Sequence, residues 1–260
     1  MKPVRGLYVI TPEEPGSGLG MSSASDDHAG DFRDAGGRAA SGVAAEGAHP
    51  QSPAHPERSP DPCRSRATRS LIRRVELALA GGARLVQYRD KSRDLSLRLA
   101  QARALGTLCD AAGVPLIIND DIQLAAAVSA DGVHLGRDDP DPREARRLLG
   151  PSALIGVSCY DRLDLAEAAQ AAGADYVAFG SFFPSSTKPL AVRADLDLLR
   201  QARRRIRLPL VAIGGITPEN GAALIEAGAD MLAVVSGVFG APDLRAAAAA
   251  YARLFATPDP

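Results

Sequence analysis

The chain has 260 residues, of which 46% are apolar and 23% charged, with a formal net charge of -1 at pH 7. This length and apolar content are sufficient for one large globular core. The balanced charge argues against a protein that works on nucleic acid or on an anionic membrane, because both favour a basic face.

The remaining composition points to an ordinary intracellular protein. The N-terminal residues lack the apolar core of a signal peptide, and no apolar run is long enough to cross a bilayer. The three cysteines, Cys63, Cys109 and Cys159, are too far apart for a disulfide framework or a paired metal motif, so we interpret them as chemically inert. We expect a cytoplasmic protein, and the sequence leaves open whether it is a monomer or a homo-oligomer.

A first strand is predicted at residues 6–11, and residues 13–69 follow with a different composition. Gly, Pro, Ser and Ala fill more than half of this segment, and its few bulky apolar residues show no helical or strand period. Such a segment cannot bury enough surface to offset its ordering entropy. We therefore predict a disordered, low-complexity insertion in the first β/α loop. A passive insertion is favoured, and a partner-binding segment is the alternative.

From residue 70 onward, short Val-, Ile- and Leu-rich runs alternate with amphipathic stretches. Together with 6–11, the predicted strands are 85–89, 115–119, 132–135, 153–158, 176–180, 209–214 and 231–236. The predicted helices lie near 70–80, 94–112, 121–128, 143–149, 163–172, 194–204, 218–227 and 242–255. Continuous apolar strands are typical of parallel strands covered on both faces.

Eight strand–helix units predict an α/β fold, a (β/α)₈ TIM barrel, as a single domain over residues 1–260. An open doubly wound sheet is the alternative. No GxGxxG motif follows the first strand, which argues against the usual dinucleotide-binding form of that alternative.

Polar residues collect at the C-terminal ends of the predicted strands, which form one rim of a barrel and carry the active site in such folds. In chain order these candidates are Gln87, Tyr88, Arg89, Asp90, Lys91, Asn119, Asp120, Asp139, Ser158, Ser185, Ser186, Thr187, Lys188, Gly215, Val235 and Ser236. We predict that they meet at one mouth.

These candidates sort by chemistry. Arg89, Lys91 and Lys188 are cations suited to a polyanion such as a diphosphate. Asp120 and Asp139 follow adjacent strands and could share one Mg²⁺ with diphosphate oxygens.

A second anion site is predicted at the ends of strands seven and eight. The segments 214–215 and 235–237 match the recurrent phosphate site of barrels, in which backbone N–H groups face the anion. The rim thus offers one cationic, metal-assisted site and one site made of backbone.

Several candidates also have purely structural interpretations. Arg89 and Asp90 could form a surface pair. Asp121 is expected to cap the next helix, whereas Asp120 is not. We interpret His134, in a short apolar strand, as a structural histidine, and the segment 185–187 could be only a polar loop.

Taken together, these residues resemble the thiamine-phosphate synthase family. The resemblance rests on stretches spread along the whole barrel: 6–11, 87–91, 118–121, 131–139, 156–158, 180–188, 212–216 and the region near Ser236. It implies a (β/α)₈ barrel and a Mg²⁺-dependent transferase. This transferase would join hydroxymethylpyrimidine diphosphate to hydroxyethylthiazole phosphate by a dissociative mechanism, releasing diphosphate and forming thiamine phosphate.

The resemblance also implies a role for each candidate. The pyrimidine diphosphate would contact Gln87, Tyr88, Arg89, Asp90, Lys91, Asn119, Ser158 and Lys188, of which Lys188, Ser158 and Arg89 would act in catalysis. The thiazole phosphate would contact Ser185, Ser186, Thr187, Gly215, Val235 and Ser236. Asp120 and Asp139 would hold Mg²⁺.

Two departures from the family pattern stand out. The strand-six loop has Ser185 where the family usually has Thr, which keeps the hydroxyl. The segment 13–69 replaces a short first β/α loop. The alternatives are a thiazole tautomerase of the same superfamily, which would not need Lys91, Asp120, Asp139 and Lys188 together, and a non-catalytic ligand-binding relative. Partners are expected to be small-molecule substrates, with neither nucleic acid nor membrane.

Overall fold

The computed structural model describes residues 5–13, 65–184 and 193–256. Eight parallel strands close into a barrel in chain order, with β1 pairing to both β2 and β8. The strands are β1 (Gly6–Ile10), β2 (Ala83–Tyr88), β3 (Leu116–Asn119), β4 (Gly132–Leu135), β5 (Leu154–Tyr160), β6 (Tyr176–Phe179), β7 (Leu210–Ile213) and β8 (Met231–Val234). The predicted (β/α)₈ barrel is confirmed.

Helices cover the outside of the barrel. They are α1 (Arg66–Ala80), α2 (Leu95–Ala112), α3 (Ile122–Ala127), α4 (Pro142–Leu149), α5 (Leu163–Ala171), α6 (Leu196–Arg205), α7 (Pro218–Glu226), α8 (Ser236–Phe239) and α9 (Leu244–Arg253). Within the described residues, no helix combines the length and the hydropathy needed to span a bilayer.

Alternation along each strand divides the core into two clusters. On β1, Leu7 and Val9 pack outward in the larger cluster with the helices, whereas Tyr8 and Ile10 pack inward with residues from the other strands. This period of two is the property of extended strands that decides which side chains line the barrel interior.

Helix α1 begins at Arg66, four residues before its predicted start. Ser65 caps it by accepting a hydrogen bond from the Thr68 N–H at 3.0 Å, and Thr68 and Leu71 are buried. The predicted insertion, 13–69, is therefore too long at its end, because Ser and Thr here serve as a helix cap rather than as linker residues. Residues 14–64 lie outside the described ranges.

At the bottom of the barrel, away from the mouth, three strand pairs are each joined by a hydrogen bond to an aspartate of their own. The carboxylate of Asp131, just before β4, accepts the Leu116 N–H of β3 at 2.8 Å. Asp175 and Asp230 do the same for Ile155 and Leu210, ahead of β6 and β8, also at 2.8 Å.

Candidate active site

The end of β2 sends consecutive side chains to opposite faces of the sheet. Gln87 is buried and its amide N–H donates to the hydroxyl of Tyr8, inside the barrel. Tyr88 points outward instead, and its hydroxyl donates to Gln101 of α2 at 2.8 Å. The structure therefore brings Gln87 into the interior beneath the mouth and places Tyr88 against α2.

Asp90 lies with Tyr88 rather than at the mouth. One carboxylate oxygen accepts the Ser92 N–H at 2.6 Å, and the other lies 3.2 Å from the Tyr88 hydroxyl. Burial raises the pKa of Tyr88, and Asp90 raises it further. These contacts order the loop between β2 and α2, which carries the two cations described next.

Arg89 and Lys91 are held at the rim by different contacts. The Arg89 N–H donates to the Thr11 hydroxyl at 2.9 Å, which ties the ends of β1 and β2 together. The Arg89 guanidinium pairs with Glu13 at 2.5 Å, so the predicted alternative of an Arg89–Asp90 surface pair is wrong. The Lys91 ammonium donates to a carboxylate oxygen of Asp120.

Asp120 and Asp139 meet at the ends of β3 and β4. Asp120 has a left-handed backbone, with φ of 63°, and its N–H donates to the carbonyl of His134 at 2.8 Å. The Gly136 N–H donates to Asp139 at 2.6 Å, which fixes that carboxylate beside the loop after β4. The two carboxyl side chains are hydrogen-bonded to each other.

The shared environment drives the two pKa values apart. Burial raises the pKa of Asp120, but hydrogen bonds from Lys91 and from Asp139 outweigh it and hold the pKa below its ordinary value. Burial and the neighbouring Asp120 charge raise the pKa of Asp139 above its ordinary value. Among the described residues, no group of three or more His, Cys, Asp or Glu side chains is arranged around a metal site, so this pair is a two-carboxylate arrangement.

Asp121, the neighbour of Asp120 in sequence, makes different contacts because it caps helix α3. Asp121 accepts the Leu124 N–H at 2.8 Å as the N-cap of α3, and it also pairs with Arg98 at 2.9 Å. The prediction that Asp121, and not Asp120, caps this helix is confirmed.

A buried hydrogen-bond chain lies directly under the mouth, and sequence reasoning missed it. His134 binds the Ser158 hydroxyl through Nε2 at 2.9 Å and the Tyr176 hydroxyl through Nδ1 at 3.1 Å. Tyr176 in turn lies 2.9 Å from Tyr8, hydroxyl to hydroxyl. Burial lowers the pKa of His134 to about 4 and raises those of Tyr8 and Tyr176. Asn119, half-buried at the end of β3, is in register with His134.

The loops after β6 and β7 are packed together. Gly214 and Gly215 have positive φ values of 104° and 62°, and a Cβ on Gly215 would lie 2.4 Å from the Pro184 carbonyl oxygen. The Phe183 N–H donates to the Gly214 carbonyl at 3.0 Å. Only glycine fits here without strain, because the position combines a left-handed backbone with a close approach of another chain segment.

The end of β8 lies beside this loop, since β7 and β8 are paired. Val235 is half-buried against the interior cluster, and Ser236, exposed, begins the short helix α8. The remaining predicted site residues, Ser185, Ser186, Thr187 and Lys188, lie outside the described residues.

Two further residues at the rim, Arg137 and Tyr160, contact each other, and this contact was not predicted from the sequence. The Arg137 guanidinium lies 4.7 Å from the centre of the Tyr160 ring, and the Arg137 N–H lies 3.4 Å from the Tyr160 hydroxyl. Tyr160 has a positive φ of 54°, at the end of β5. The sequence offers no periodic signal for this contact, because it joins the loop after β4 to the last residue of β5.

Comparisons with known proteins agree on one family. The family model described as thiamine monophosphate synthase matches residues 61–238. A thiamine-phosphate synthase of Thiobacillus denitrificans is 64% identical over 189 residues, covering 73% of this chain and 90% of that relative. One of Aromatoleum aromaticum is 58% identical over 188 residues, covering 72% and 90%. A solved thiamine phosphate pyrophosphorylase from Pyrococcus furiosus aligns with a TM-score of 0.65 and 33% identity, covering 73% of this chain and 91% of that one.

Proposed function

The chain belongs to the thiamine monophosphate synthase family, and we propose that it joins hydroxymethylpyrimidine diphosphate to hydroxyethylthiazole phosphate, forming thiamine phosphate and diphosphate. The observation that carries this proposal is the contact of Lys91, Asp120 and Asp139 at the mouth of the barrel. A cation and two carboxylates in one cluster suit a diphosphate and its counter-ion, which a thiazole tautomerase would not need.

Asp120 and Asp139 are the residues that would hold Mg²⁺. Two carboxyl groups in hydrogen-bond contact repel each other once both are ionised, and a divalent cation removes this repulsion. Their oxygen atoms are the donors that Mg²⁺ prefers, and one or two carboxylates plus phosphate oxygens are its common ligand set. When bound, Mg²⁺ supplies neutralisation of the negative charge that develops on the departing diphosphate.

The protein cations would share the diphosphate with that metal. Lys91 has a half-exposed side chain and reaches Asp120 from the neighbouring loop, so a small rotation would turn its ammonium toward a phosphate oxygen. Arg89 would exchange its pair with Glu13 for a bidentate contact to phosphate. Lys188 is proposed for the same anion from its sequence position alone.

The two organic rings would bind at different depths. Gln87, Asn119 and Ser158 line the end of the interior beneath the rim and would contact the pyrimidine diphosphate. Gly215, Val235 and Ser236 would contact the thiazole phosphate with the loop 185–187. The left-handed Gly215 backbone supports this assignment, because it turns N–H groups in a direction that an ordinary residue cannot.

Tyr88 and Asp90 are proposed to act indirectly. Their contacts with Gln101 and Ser92 order the loop that presents Arg89 and Lys91, so their effect on the diphosphate would come through that loop.

The residues favour a dissociative reaction. Cys109 and Cys159 are buried, with thiol pKa values raised to about 12, and are poor nucleophiles. The second ring nitrogen of His134 contacts the hydroxyl of Tyr176 rather than a carboxylate, so the Ser158–His134 contact lacks the acid of a hydrolytic triad.

In the proposed reaction, the bond between the pyrimidine methylene carbon and the diphosphate oxygen breaks first, and its electron pair leaves with the diphosphate. The thiazole nitrogen then donates its lone pair to the carbocation and forms the new carbon–nitrogen bond. The chain's contribution is orientation of the two rings, stabilisation of the leaving anion and exclusion of water. Since phosphorylated substrates cross membranes poorly, a cytoplasmic location is part of this proposal.

The direct test uses the purified chain with both substrates and Mg²⁺, and measures thiamine phosphate and released diphosphate. Formation of both in equal amounts supports the proposal. A folded protein that isomerises the thiazole substrate alone, or that binds both substrates without product, would overturn it in favour of a tautomerase or a non-catalytic relative.

A further inference from the structure

A continuous hydrogen-bond chain crosses the barrel interior from β2 to β5. It links Gln87 to Tyr8, Tyr8 to Tyr176 at 2.9 Å, Tyr176 to His134 at 3.1 Å, and His134 to Ser158 at 2.9 Å. Gln87 and Ser158, its two ends, are both residues proposed above to contact the pyrimidine diphosphate. The three residues between them, Tyr8, Tyr176 and His134, are buried, and their ring hydroxyls and nitrogens are hydrogen-bonded within the chain.

The packing fixes where the middle of this chain lies. The rings of Tyr8 and Tyr176 meet edge to face at 6.0 Å, and the ring of His134 stacks on Tyr176 at 5.6 Å. A Cβ on Gly156 would lie 2.0 Å from the Tyr176 ring, so the glycine in β5 leaves the space that this ring occupies. The Tyr176 hydroxyl is thereby held between Tyr8 and His134.

The direction of the chain follows from counting protons. The amide nitrogen of Gln87 can only donate, so the Tyr8 oxygen accepts from it and the Tyr8 proton is free to reach Tyr176. Tyr176 then donates to His134 Nδ1, which leaves the ring proton on Nε2 to be donated to Ser158. The reverse direction would leave the buried Tyr8 proton without an acceptor in this chain, which is costly in an apolar interior.

We propose that this chain holds His134 as its Nε2–H tautomer and so makes the Ser158 hydroxyl a hydrogen-bond donor toward the mouth. Because His134 already donates to the Ser158 oxygen, the Ser158 proton points to another acceptor, and diphosphate oxygens are acceptors. Tyr8, Tyr176 and His134 are then positioning residues, while Gln87 and Ser158 make the contacts. The identity of the ligand rests on the proposed function, whereas the tautomer does not.

The first test is the ¹⁵N spectrum of the histidine rings in the ligand-free, full-length protein at neutral pH. The other histidines, His28, His49 and His55, all lie between residues 14 and 64, and a His134→Gln variant identifies the His134 signals. We expect a neutral ring with its proton on Nε2. A proton on Nδ1, or on both nitrogens, would overturn the proposal, even if the enzyme makes thiamine phosphate.

Variants then show whether the chain sets the tautomer. Tyr176→Phe keeps the ring but removes the hydroxyl, and we expect the His134 ¹⁵N shifts to change. Tyr88→Phe is the matched control, because it removes a buried hydroxyl from the outer face of the same barrel and should leave those shifts unchanged. Should Tyr176→Phe fail to fold, Tyr8→Phe breaks the same chain one step earlier. Unchanged His134 shifts in a folded variant of either tyrosine would overturn the proposal.

Steady-state kinetics test the second part of the proposal, that the chain positions the Ser158 hydroxyl toward the substrate. We expect Tyr176→Phe to lower kcat/KM for the pyrimidine diphosphate about tenfold, the effect of one lost hydrogen bond. The KM for the thiazole phosphate should stay at its wild-type value. In a Ser158→Ala background, the same substitution should have little further effect, because the chain acts through Ser158. Additive losses, or an equal rise in both KM values, would mean that Tyr176 supports the barrel generally and does not position Ser158. A wild-type protein with the expected tautomer but no turnover would contradict only the proposed function.

Discussion

Lys91 and Asp120 form an ion pair between the loops after β2 and β3, although 29 positions separate them in the chain. The Lys91 side chain is 54% exposed and the Asp120 side chain 26% exposed. The pair therefore lies at the boundary between the barrel and solvent, where a phosphate group can replace one partner. Asp120 also contacts Asp139, so a substitution of either aspartate should alter the electrostatic environment of the other.

Replacing Asp139 with Asn should lower kcat by about a hundredfold or more, because a lost metal ligand removes several kcal/mol of stabilisation from the leaving diphosphate. Asp120→Asn should behave similarly, with an unchanged melting transition in both. The steady-state rate as a function of Mg²⁺ concentration measures the effect. Asp138→Asn is the matched control, since Asp138 is an exposed neighbour in the same loop. Near wild-type rates for the Asp139 variant at limiting Mg²⁺ would contradict the metal assignment.

Stability should fall with acid through His134. Burial lowers its pKa from 6.5 to about 4, so between these values the unfolded chain binds a proton that the folded one does not. The free energy of unfolding is therefore fully present above pH 6.5 and decreases as the pH falls toward 4, by on the order of 2 kcal/mol at pH 5.

Urea unfolding of the wild type and of His134→Gln across this pH range would show the effect as a difference in slope. The variant should have the shallower dependence, since other groups titrate equally in both. Parallel curves would mean that His134 is charged, or is solvated, in the folded protein.

Gly215→Ala should raise the KM for the thiazole phosphate and cost about 1–3 kcal/mol in stability, because its Cβ would press on the Phe183 and Pro184 carbonyl groups. Gly113→Ala is a close control. Gly113 has a φ of 64°, against 62° for Gly215, but a Cβ there meets nothing within 4 Å. The control should lose about 1 kcal/mol without any change in KM. Equal KM values in the two variants would remove Gly215 from the phosphate site.

The strand-six loop gives a prediction that rests on sequence alone. Lys188→Ala should slow diphosphate departure more than it weakens thiazole phosphate binding, because a cation suits the larger anion. Ser185→Ala should instead raise the KM for the thiazole phosphate. Initial rates with each substrate varied in turn would distinguish them, and the opposite pattern would show that the two roles are exchanged.

Removing residues 16–62 and joining the ends with a short Gly/Ser linker should leave a folded barrel. The described residues alone close the eight-stranded sheet, and Ser65 keeps the cap of α1. Loop length changes closure entropy only slowly. We expect equal or higher kcat/KM, measured beside a thermal melt. Cooperative unfolding with abolished turnover would mean that the insertion takes part in the reaction, and a loss of cooperative unfolding would mean that it packs as structure.

The fold was predictable from the sequence because its signals are local. Continuous apolar runs marked all eight strands, and β4 was placed at residues 132–135 with the bounds that the structure shows. The short helix α8, Ser236–Phe239, was missed, since a single turn after a strand has no periodic pattern of its own. The start of α1 was misplaced because its cap lies inside a Ser- and Ala-rich segment.

The candidate site was less predictable, for two physical reasons. Tyr88 stands between Gln87 and Arg89 in sequence, yet the alternation of a strand turns it outward, and applying the period of two would have shown this. Tyr8 and Tyr176 look like ordinary core aromatics, because only closure of the barrel brings strands 168 positions apart to hydroxyl contact. His134 was interpreted as structural, and its contacts place it between the core and the predicted site.

The three aspartates beneath the barrel have a consequence for the order in which the molecule assembles. Each joins two strands that are near neighbours in the chain, with only 15 to 20 positions between the bonded residues. Contacts of such short range close early, whereas the pairing of β1 with β8 must wait for the whole chain. Among the consecutive pairs β1–β2, β3–β4, β5–β6 and β7–β8, the described contacts show such an aspartate in all but the first, which is also the pair divided by the insertion. Folding is thus expected to begin in the C-terminal three quarters of the barrel, as a row of two-strand units, with the first strand docking last.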